Sequence, residues 1–220
     1  MEELTEICAT RRNIYRLLKN LFLKPPDKEF LRALSPRIGR GSPRGSELER
    51  GLEMLKRGSG APLMDLVCEY TRLFVGPHAL PASPYESVYL SAVRLVMQEP
   101  TMEVRGRYRR AGLEIKDAEK GPDDHVSAEF EFMEYLCGRI EEASKKDDEK
   151  RALEYLIEQK EFLEEHILKW VPAFCQDIFR SSTSEFYRGA SMLTKGFLIR
   201  DGEEIDRCIR ALESPCYPRP

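Results

Sequence analysis

Apolar residues recur at intervals of three or four positions along almost the whole of this 220-residue chain. Such spacing places side chains on one face of a helix, which repeats about every 3.6 residues. Alternating apolar and polar runs joined by hairpin turns, which would indicate strands, do not occur. The sequence therefore predicts an all-α protein with about nine to eleven helices.

Prolines, glycines and charged runs divide the chain into predicted helices. The first is amphipathic, and we expect its arginines to lie on the solvated side. Pro172 is expected to bend or end a long helix, because proline has no N–H to donate. The predicted helices cover residues 4–22, 47–57, 62–75, 85–96, 102–111, 123–143, 149–170, 174–179, 186–199 and 203–212.

The charged connector at residues 112–122 is the best candidate for a boundary between two helical halves. It predicts an N-terminal half at 1–118, which contains a Pro/Tyr-rich loop at 76–90, and a C-terminal half at 119–220. We expect the two halves to form one compact unit. Glycine, serine, proline and arginine residues at 35–46 predict a mobile basic loop.

Composition narrows the class of protein. Hydrophobic residues make up 41% of the chain and charged residues 33%, which excludes both a membrane-embedded protein and a disordered chain. Lys and Arg number 35 against 38 Asp and Glu, so there is no basic excess to favour a nucleic-acid partner. No stretch approaches the roughly 20 apolar residues of a transmembrane helix, and we expect no membrane insertion.

The pair Arg11-Arg12 superficially resembles a twin-arginine export signal. A leader needs an uninterrupted apolar run of roughly 7–15 residues, whereas the run that begins at Leu17 is broken at Lys19. The chain is therefore predicted to lack a leader and to stay in the cytoplasm. Its six cysteines include no CxxC pair, a pattern typical of reduced core thiols rather than zinc ligands or disulfides.

The helix predicted after Pro122 carries the most informative polar residues. Its apolar residues occupy one broad face, and Glu129 falls on that face with His125 one turn before it. A carboxylate there must be paired or protonated, because an unpaired buried charge is costly. Either Glu129 pairs with His125 while Asp123 or Asp124 caps the helix, or these groups form part of a polar pocket for an arginine-rich or polar ligand.

The loop between Gly76 and Tyr89 contains three prolines and two tyrosines. A stiff backbone with large aromatic side chains suits peptide recognition. The alternative is a rigid cover over the core, with the tyrosine hydroxyls hydrogen-bonded. A stripe of aromatic residues at four-residue spacing is expected to lie in the core without a ligand role: Phe162, His166, Trp170 and Phe174.

No pattern typical of catalytic or metal-binding residues is recognisable. The three histidines are scattered on different segments, and no serine or cysteine lies in a nucleophile signature. A glycine-rich phosphate loop is missing as well. We therefore predict no catalytic residue, no metal and no cofactor.

Three blocks of the sequence match a known pattern. The first is Glu69-Tyr-Thr-Arg-Leu-Phe-Val-Gly-Pro77 running into Ser83-Pro-Tyr-Glu-Ser-Val-Tyr-Leu90, and the second is Pro122-Asp-Asp-His-Val-Ser-Ala-Glu-Phe-Glu-Phe-Met133. A weaker third block is His166-x-x-x-Trp170-x-x-x-Phe174. In order and spacing these blocks resemble the TorD/DmsD/NarJ family of redox-enzyme maturation chaperones, which are all-helical cytosolic proteins.

The resemblance implies a TorD-like helical bundle that is a chaperone and not an enzyme. Such a chaperone binds the twin-arginine signal peptide and the apo catalytic subunit of a molybdopterin-dependent oxidoreductase of the DMSO reductase type. It holds the subunit in the cytoplasm until the cofactor is inserted, and only then allows export. The peptide-binding residues that the resemblance implies are Tyr70, Leu73, Phe74, Pro84, Tyr85, Glu86, Tyr89, Asp124, His125, Glu129, Phe132 and Met133.

A twin-arginine peptide carries two guanidinium groups and an apolar run. Its receptor therefore needs carboxylates for bidentate pairing beside a hydrophobic groove. We expect Glu86, Asp124 and Glu129 to supply the negative charge at the edge of that groove. The aromatic residues and Met133 are expected to form its apolar surface.

Other interpretations stay open. The chain is alternatively a NarJ-type assembly chaperone for a nitrate reductase-like subunit that is not exported, a small hydrolase that uses Asp124, His125 and Glu129 as acids and bases, or a helical adaptor of unrelated purpose. The connector at 112–122 would also permit two chains to exchange their second halves. A homodimer, including a domain-swapped one, is therefore among the expected states.

Overall fold

The computed structural model describes residues 1–34, 46–77, 79–113 and 121–214. These residues form ten α-helices and one π-helical segment, and they contain no strand, which confirms the all-α prediction. The helices are α1 (Glu2–Leu23), α2 (Lys28–Ala33), α3 (Glu47–Gly58), α4 (Leu63–Phe74), α5 (Glu86–Leu90), α6 (Glu99–Arg110), α7 (Val126–Lys145), α8 (Glu149–Phe162), α9 (Leu168–Ser181) and α10 (Glu185–Glu213), with the π-helical segment at Leu163–Ile167.

One hydrophobic core runs from α1 to α10. The most extensive packing joins α1 to α7 and α3 to α10, and α10 also packs on α8 and α9. The apolar stripe of α1 explains its central position, because Cys8, Tyr15, Leu18 and Phe22 recur at helical spacing and are all buried. None of the described helices is long and apolar enough to cross a membrane.

Two glycines allow α3 and α10 to approach closely. A Cβ atom on Gly51 would collide with the backbone of Leu193, and one on Gly189 would collide with the backbone of Leu55. Any larger side chain would push the two helices apart, because interiors are packed too tightly to absorb it.

Arg11 corrects the prediction that the arginines of the first helix lie in solvent. Its side chain is only 4% exposed, and its Nε is 2.6 Å from Oδ1 of Asp201 in α10. The same guanidinium donates to Oε1 of Gln159 in α8 at 2.6 Å, and the Tyr15 hydroxyl donates to Asp201 at 2.6 Å. Arg16, by contrast, is half-exposed, as expected.

Three predicted helix boundaries are wrong. The helix expected at 85–96 stops at Leu90. The separate helices expected at 149–170 and 174–179 are joined through a π-helical turn, and Pro172, which was expected to bend or end the first of them, lies inside α9 and does not end it. The break expected near Gly202 is absent because α10 is continuous across it, and the buried pair formed by Asp201 holds that turn in place.

Two predicted segments fall outside the described residues: the basic loop, apart from its last residue, and most of the connector. The division into halves at residue 118 stays a prediction. Across it, α1 packs on α7 and α3 packs on α10. Among the described cysteines, Cys8, Cys137, Cys175 and Cys208 are free and buried as expected, whereas Cys68 is exposed.

Candidate functional site

The two main sequence blocks meet in space, although 37 residues separate Ser87 from Asp124. Tyr85 and His125 form an isolated antiparallel bridge. The Glu86 N–H donates to the Asp124 carbonyl at 3.0 Å, and the Val126 N–H donates to the Pro84 carbonyl at 2.9 Å. The Pro/Tyr-rich loop is thereby held directly against the start of α7.

Side chains strengthen this junction from both sides. Oδ2 of Asp124 accepts a hydrogen bond from the Ser87 N–H at 2.8 Å, so this carboxylate stabilises the first turn of α5. His125 itself is the N-cap of α7, where its Nδ1 accepts from the Ser127 N–H. The prediction that Asp123 or Asp124 caps α7 is therefore wrong. Asp123 instead pairs with Arg105 of α6.

His125 is held in its neutral form. Burial lowers its pKa to about 4, although the neighbouring Asp124 acts in the opposite direction. Its ring packs edge-on against that of Tyr85, with 5.1 Å between the centroids. A neutral imidazole that accepts at Nδ1 carries its proton on Nε2, which leaves one ring donor for a ligand.

Glu129 does not pair with His125, contrary to one of the two interpretations of the sequence. It is fully buried, and its Oε2 accepts a hydrogen bond from the Trp170 indole N–H at 3.1 Å. Its Oε1 has no hydrogen-bond partner among the described residues. The Glu86 carboxylate, which is 1% exposed, lies 3.1 Å from Nδ1 of His166.

Burial raises the pKa of Glu129 well above its ordinary value, and the nearby Glu86 raises it further. Burial also raises the pKa of Glu86, partly offset by the hydrogen bond to His166. Both shifts favour the protonated form of Glu129. These two groups and Asp124 lie inside the fold, rather than at the edge of a groove as the sequence suggested.

The predicted binding residues separate into an interior set and a surface set. Three of them are half-buried and reach solvent: Tyr85, Tyr89 and His125. The Tyr89 hydroxyl donates to Asp177 of α9 at 3.0 Å, and its ring contacts Trp170. The buried ones are Tyr70, Leu73, Phe74, Pro84, Glu86, Asp124, Glu129, Phe132 and Met133.

Buried aromatic residues pack against the elements that form the site. Tyr70 donates its hydroxyl hydrogen bond to the Phe22 carbonyl at 2.8 Å, which ties α4 to α1. Phe74 contacts Phe174 with 5.9 Å between the ring centroids. The aromatic stripe predicted at residues 162–174 is confirmed as core, because all four of its side chains are buried.

A groove of about 1060 Å³ opens beside the junction, between α1 and α7. We call it the α1/α7 groove. Its lining includes His125 together with three neighbouring aromatic rings, those of Tyr108, Phe132 and Tyr135. The Phe132 ring lies 5.0 Å from Tyr108 and stacks with Tyr135 at 6.3 Å, so the rings form a continuous surface.

The groove has opposite charges on its two walls. Arg12, Arg16 and Lys19 come from α1, and Glu131, Glu134 and Glu142 come from α7. Arg16 and Lys19 contact Glu134 at 2.7 and 2.8 Å. Glu131 is 59% exposed and lies 3.4 Å from Lys19. Glu142 is 58% exposed and pairs with Arg139, which also lines the groove, at 2.8 Å.

The sequence prediction missed this groove because it placed the site on the apolar face of α7, whereas Glu131 and Glu134 lie off that face. The spacing of charged residues along α1 and α7 could have indicated the groove. The basic residues of α1 recur at intervals of four and three, and the acidic residues of α7 recur at intervals of three and eight. Each set therefore lies on one helix face. Only the packing of α1 on α7 shows that the two faces oppose each other.

Comparison with known proteins identifies the family. The model of the nitrate reductase delta subunit family, which includes the TorD and NarJ chaperones, matches residues 43–176. The chain belongs to this family. The matched range contains both blocks that meet at the Tyr85 and His125 bridge.

Curated relatives of this TorD/NarJ-family chain are similar over nearly their whole length. The chaperone protein TorD of Vibrio vulnificus is 24% identical over 215 residues, covering 93% of this chain and 99% of that protein. TorD of Shewanella pealeana is 24% identical over 220 residues and covers 93% of each chain. TorD of Vibrio atlanticus is 27% identical over 209 residues, covering 89% of this chain and 94% of its own.

A solved structure shares the fold. A protein from Archaeoglobus fulgidus that is assigned as a redox enzyme maturation protein superposes with a TM-score of 0.52 at 18% identity. The match covers 84% of this chain and 92% of that one. All of these relatives are named as chaperones or maturation proteins and none as a catalyst, in agreement with the prediction that the chain is not an enzyme.

Proposed function

We propose that this chain is a cytoplasmic maturation chaperone that binds the twin-arginine leader and the apo catalytic subunit of a molybdopterin-dependent oxidoreductase. The observation that carries the proposal is the junction of the Pro/Tyr-rich loop with the start of α7, in a member of the TorD/NarJ family. The junction lies at the rim of a groove large enough for a peptide segment.

The groove offers what an arginine pair needs. Glu131 and Glu142 are more than half exposed, so their carboxylates can accept bidentate hydrogen bonds from guanidinium groups. The half-buried ring of Tyr135 provides a flat face on which a guanidinium plane can stack. Arg16 and Lys19 both contact Glu134. The outer carboxylates each have one cation nearby, Lys19 for Glu131 and Arg139 for Glu142, and a guanidinium of the ligand would compete with these exposed pairs.

His125, Tyr85 and Tyr89 are the members of the predicted set that a ligand can reach directly. The buried members, including Glu86 and Asp124, contribute by fixing the loop against α7. Because both carboxylates are buried, a guanidinium does not reach them in this structure. Their role in the proposal is therefore to set the shape of the surface.

The contacts of Asp124, His125 and Glu129 argue against the hydrolase alternative. Acid–base catalysis by Asp124, His125 and Glu129 would need these groups directed at one reacting atom. His125 instead bonds Ser127, Glu129 bonds Trp170, and Asp124 bonds the Ser87 backbone. Each of the three is engaged in holding a different element.

The test is a fluorescence-anisotropy titration with a labelled synthetic peptide that carries two adjacent arginines before an apolar run. The double variant Glu131→Gln/Glu142→Gln is expected to weaken binding by about tenfold, because two charge-assisted contacts are lost. His125→Ala is expected to weaken binding as well. Equal binding by wild-type protein and all these variants would reject this site.

A matched control separates local from general charge effects. Glu154 is an exposed acidic residue of α8 outside the groove lining. Glu154→Gln removes one negative charge and is expected to leave peptide binding unchanged. A similar loss in this variant would mean that net charge, rather than the groove, attracts the peptide.

A second candidate function has one specific observation in its favour. The matching family model is described as that of the nitrate reductase delta subunit, which favours an assembly chaperone for a nitrate reductase-like subunit that is not exported. The two candidates differ in the peptide they bind. An N-terminal client peptide without an arginine pair should bind as tightly as the leader if the second candidate is correct.

We also propose a homodimer. One possible form of it is a domain-swapped dimer, in which two chains exchange their second halves. The packing of α1 on α7 and of α3 on α10 would then be made between two chains. Size-exclusion chromatography with light scattering measures the mass directly. A single species at 25.4 kDa across the accessible concentration range would remove the dimer from the proposal.

A further inference from the structure

A segment with exposed apolar side chains follows α5. After Leu90 the chain takes no regular structure until α6 begins at Glu99. Single exposed apolar residues are common on protein surfaces, but a contiguous group of this size is typical of an interaction site. We call this group the 90–102 patch; it comprises six residues whose exposed fractions range from 40 to 67%: Leu90, Val93, Leu95, Val96, Met97 and Met102.

The backbone of this segment is strained. Arg94 has φ of 52° and Met97 has φ of 60°, in the left-handed region that favours glycine. Neither residue is buried, so packing of their side chains does not account for this conformation. Strained backbone persists where it presents side chains for a function, and here it turns Leu95, Val96 and Met97 toward solvent.

The charge beside the patch indicates the chemistry of its partner. Glu99, Met102 and Glu103 lie at positions i, i+3 and i+4 of α6, so they share one exposed face. Neither glutamate forms an ion pair with any described residue. Arg94 is the cation within the segment, and its charge acts on Tyr89. The patch therefore complements a ligand that is apolar with a basic flank.

Helix α6 connects the patch to the α1/α7 groove. Met102 belongs to the patch, and Tyr108 of the same helix lines the groove. Six residues of α-helix rise about 9 Å, a distance that about three residues of extended peptide span. The patch and the groove therefore both lie along this one helix.

We propose that the 90–102 patch binds the apolar run of the leader peptide while its arginine pair lies in the α1/α7 groove. This inference rests on the proposed function, because it assigns a second subsite to the same ligand. Two methionines suit the role, since their flexible side chains adapt to apolar runs of different sequence. Glu99 and Glu103 then attract the basic residues that flank the run.

The test compares two synthetic peptides in the same anisotropy titration. One carries an arginine pair followed by a run of about ten leucines and alanines, and in the other serine and glutamine replace that run. Leu95→Ser/Met97→Ser is expected to weaken binding of the first peptide about tenfold and to leave binding of the second unchanged. Both substituted side chains are at least 60% exposed, so the fold should tolerate the change.

Met64→Ser/Ile199→Ser is the matched control, since it removes two exposed apolar side chains elsewhere and should not alter binding. If the patch variant binds the first peptide as tightly as wild-type protein does, the patch is not the subsite. Loss of binding in the groove variant alone would then leave the proposed function intact. Wild-type protein that binds neither peptide would overturn both proposals.

Discussion

At the scale of single residues, buried polar groups hold this fold together at defined points. Arg11 joins α1 to α8 and α10 through Gln159 and Asp201, with Tyr15 as a further donor to Asp201. Breaking a buried pair by removing one partner leaves an uncompensated charge, whereas an exposed pair contributes little.

Arg11→Ala is therefore expected to lower the free energy of unfolding by about 3–5 kcal/mol. The matched control is Arg57→Ala, which breaks an exposed pair with Glu185 and should change stability by less than about 1 kcal/mol. Urea denaturation followed by circular dichroism measures both. If the two variants lose the same small amount, the buried network is not a major source of stability.

Glu129 gives the fold a pH dependence. Burial raises its pKa in the folded state above the value of about 4.5 in the unfolded chain, so the folded protein retains a proton that the unfolded chain releases. Its contribution to stability is complete below that value and is lost as pH rises through the folded-state pKa.

Glu129→Gln removes this ionisation while keeping an acceptor for the Trp170 N–H. The variant is expected to gain stability relative to wild-type protein between pH 5 and pH 8, as measured by urea denaturation at both values. The exposed Glu154→Gln serves as a control without such a gain. A constant difference between Glu129→Gln and wild-type protein at the two pH values would show that Glu129 is ionised in the fold.

Glu129 and Arg11 also show which contacts could not be predicted from the sequence. The apolar face of α7 correctly placed Glu129 in the interior, because burial follows from helical periodicity. Its partner, Trp170, could not be predicted, since that contact depends on how α7 and α9 pack. For the same reason Arg11 was expected in solvent: its partner lies 190 residues away in the sequence.

At the scale of elements, periodicity identified the helices but not all their ends. Residues 91–98 have a helix-compatible composition, yet the helix ends at Leu90, and Arg94 and Met97 take left-handed conformations. Pro172 and Gly202 are local helix breakers that tertiary packing overrides. Local propensity decides a boundary only where packing does not oppose it.

The crossing of α3 and α10 depends on small residues. Gly189→Ala places a methyl group against the Leu55 backbone and is expected to lower stability by about 1–3 kcal/mol. Gly106→Ala is the matched control, because a Cβ there meets nothing within 4 Å and alanine favours helix by up to about 1 kcal/mol. Thermal denaturation separates them, and stabilisation by both substitutions would contradict the close approach.

At the scale of the whole molecule, the packing of distant segments creates the candidate site. The loop at 79–90, the start of α7 and the wall of α1 are far apart in the sequence, and each alone is an ordinary amphipathic or turn segment. The sequence blocks predicted that the first two act together, through their resemblance to a family. The α1/α7 groove and the 90–102 patch needed the three-dimensional arrangement, because exposure and opposing charge are properties of packed helices.

The central claim is that this surface recognises an arginine-bearing leader. It is tested most directly by titrating wild-type protein with two peptides that differ only in the arginine pair, which is kept in one and replaced by glutamines in the other. The account predicts saturable binding of the arginine peptide, and binding at least about tenfold weaker for the glutamine peptide. Equal affinity for the two peptides, or no binding of either, would contradict it.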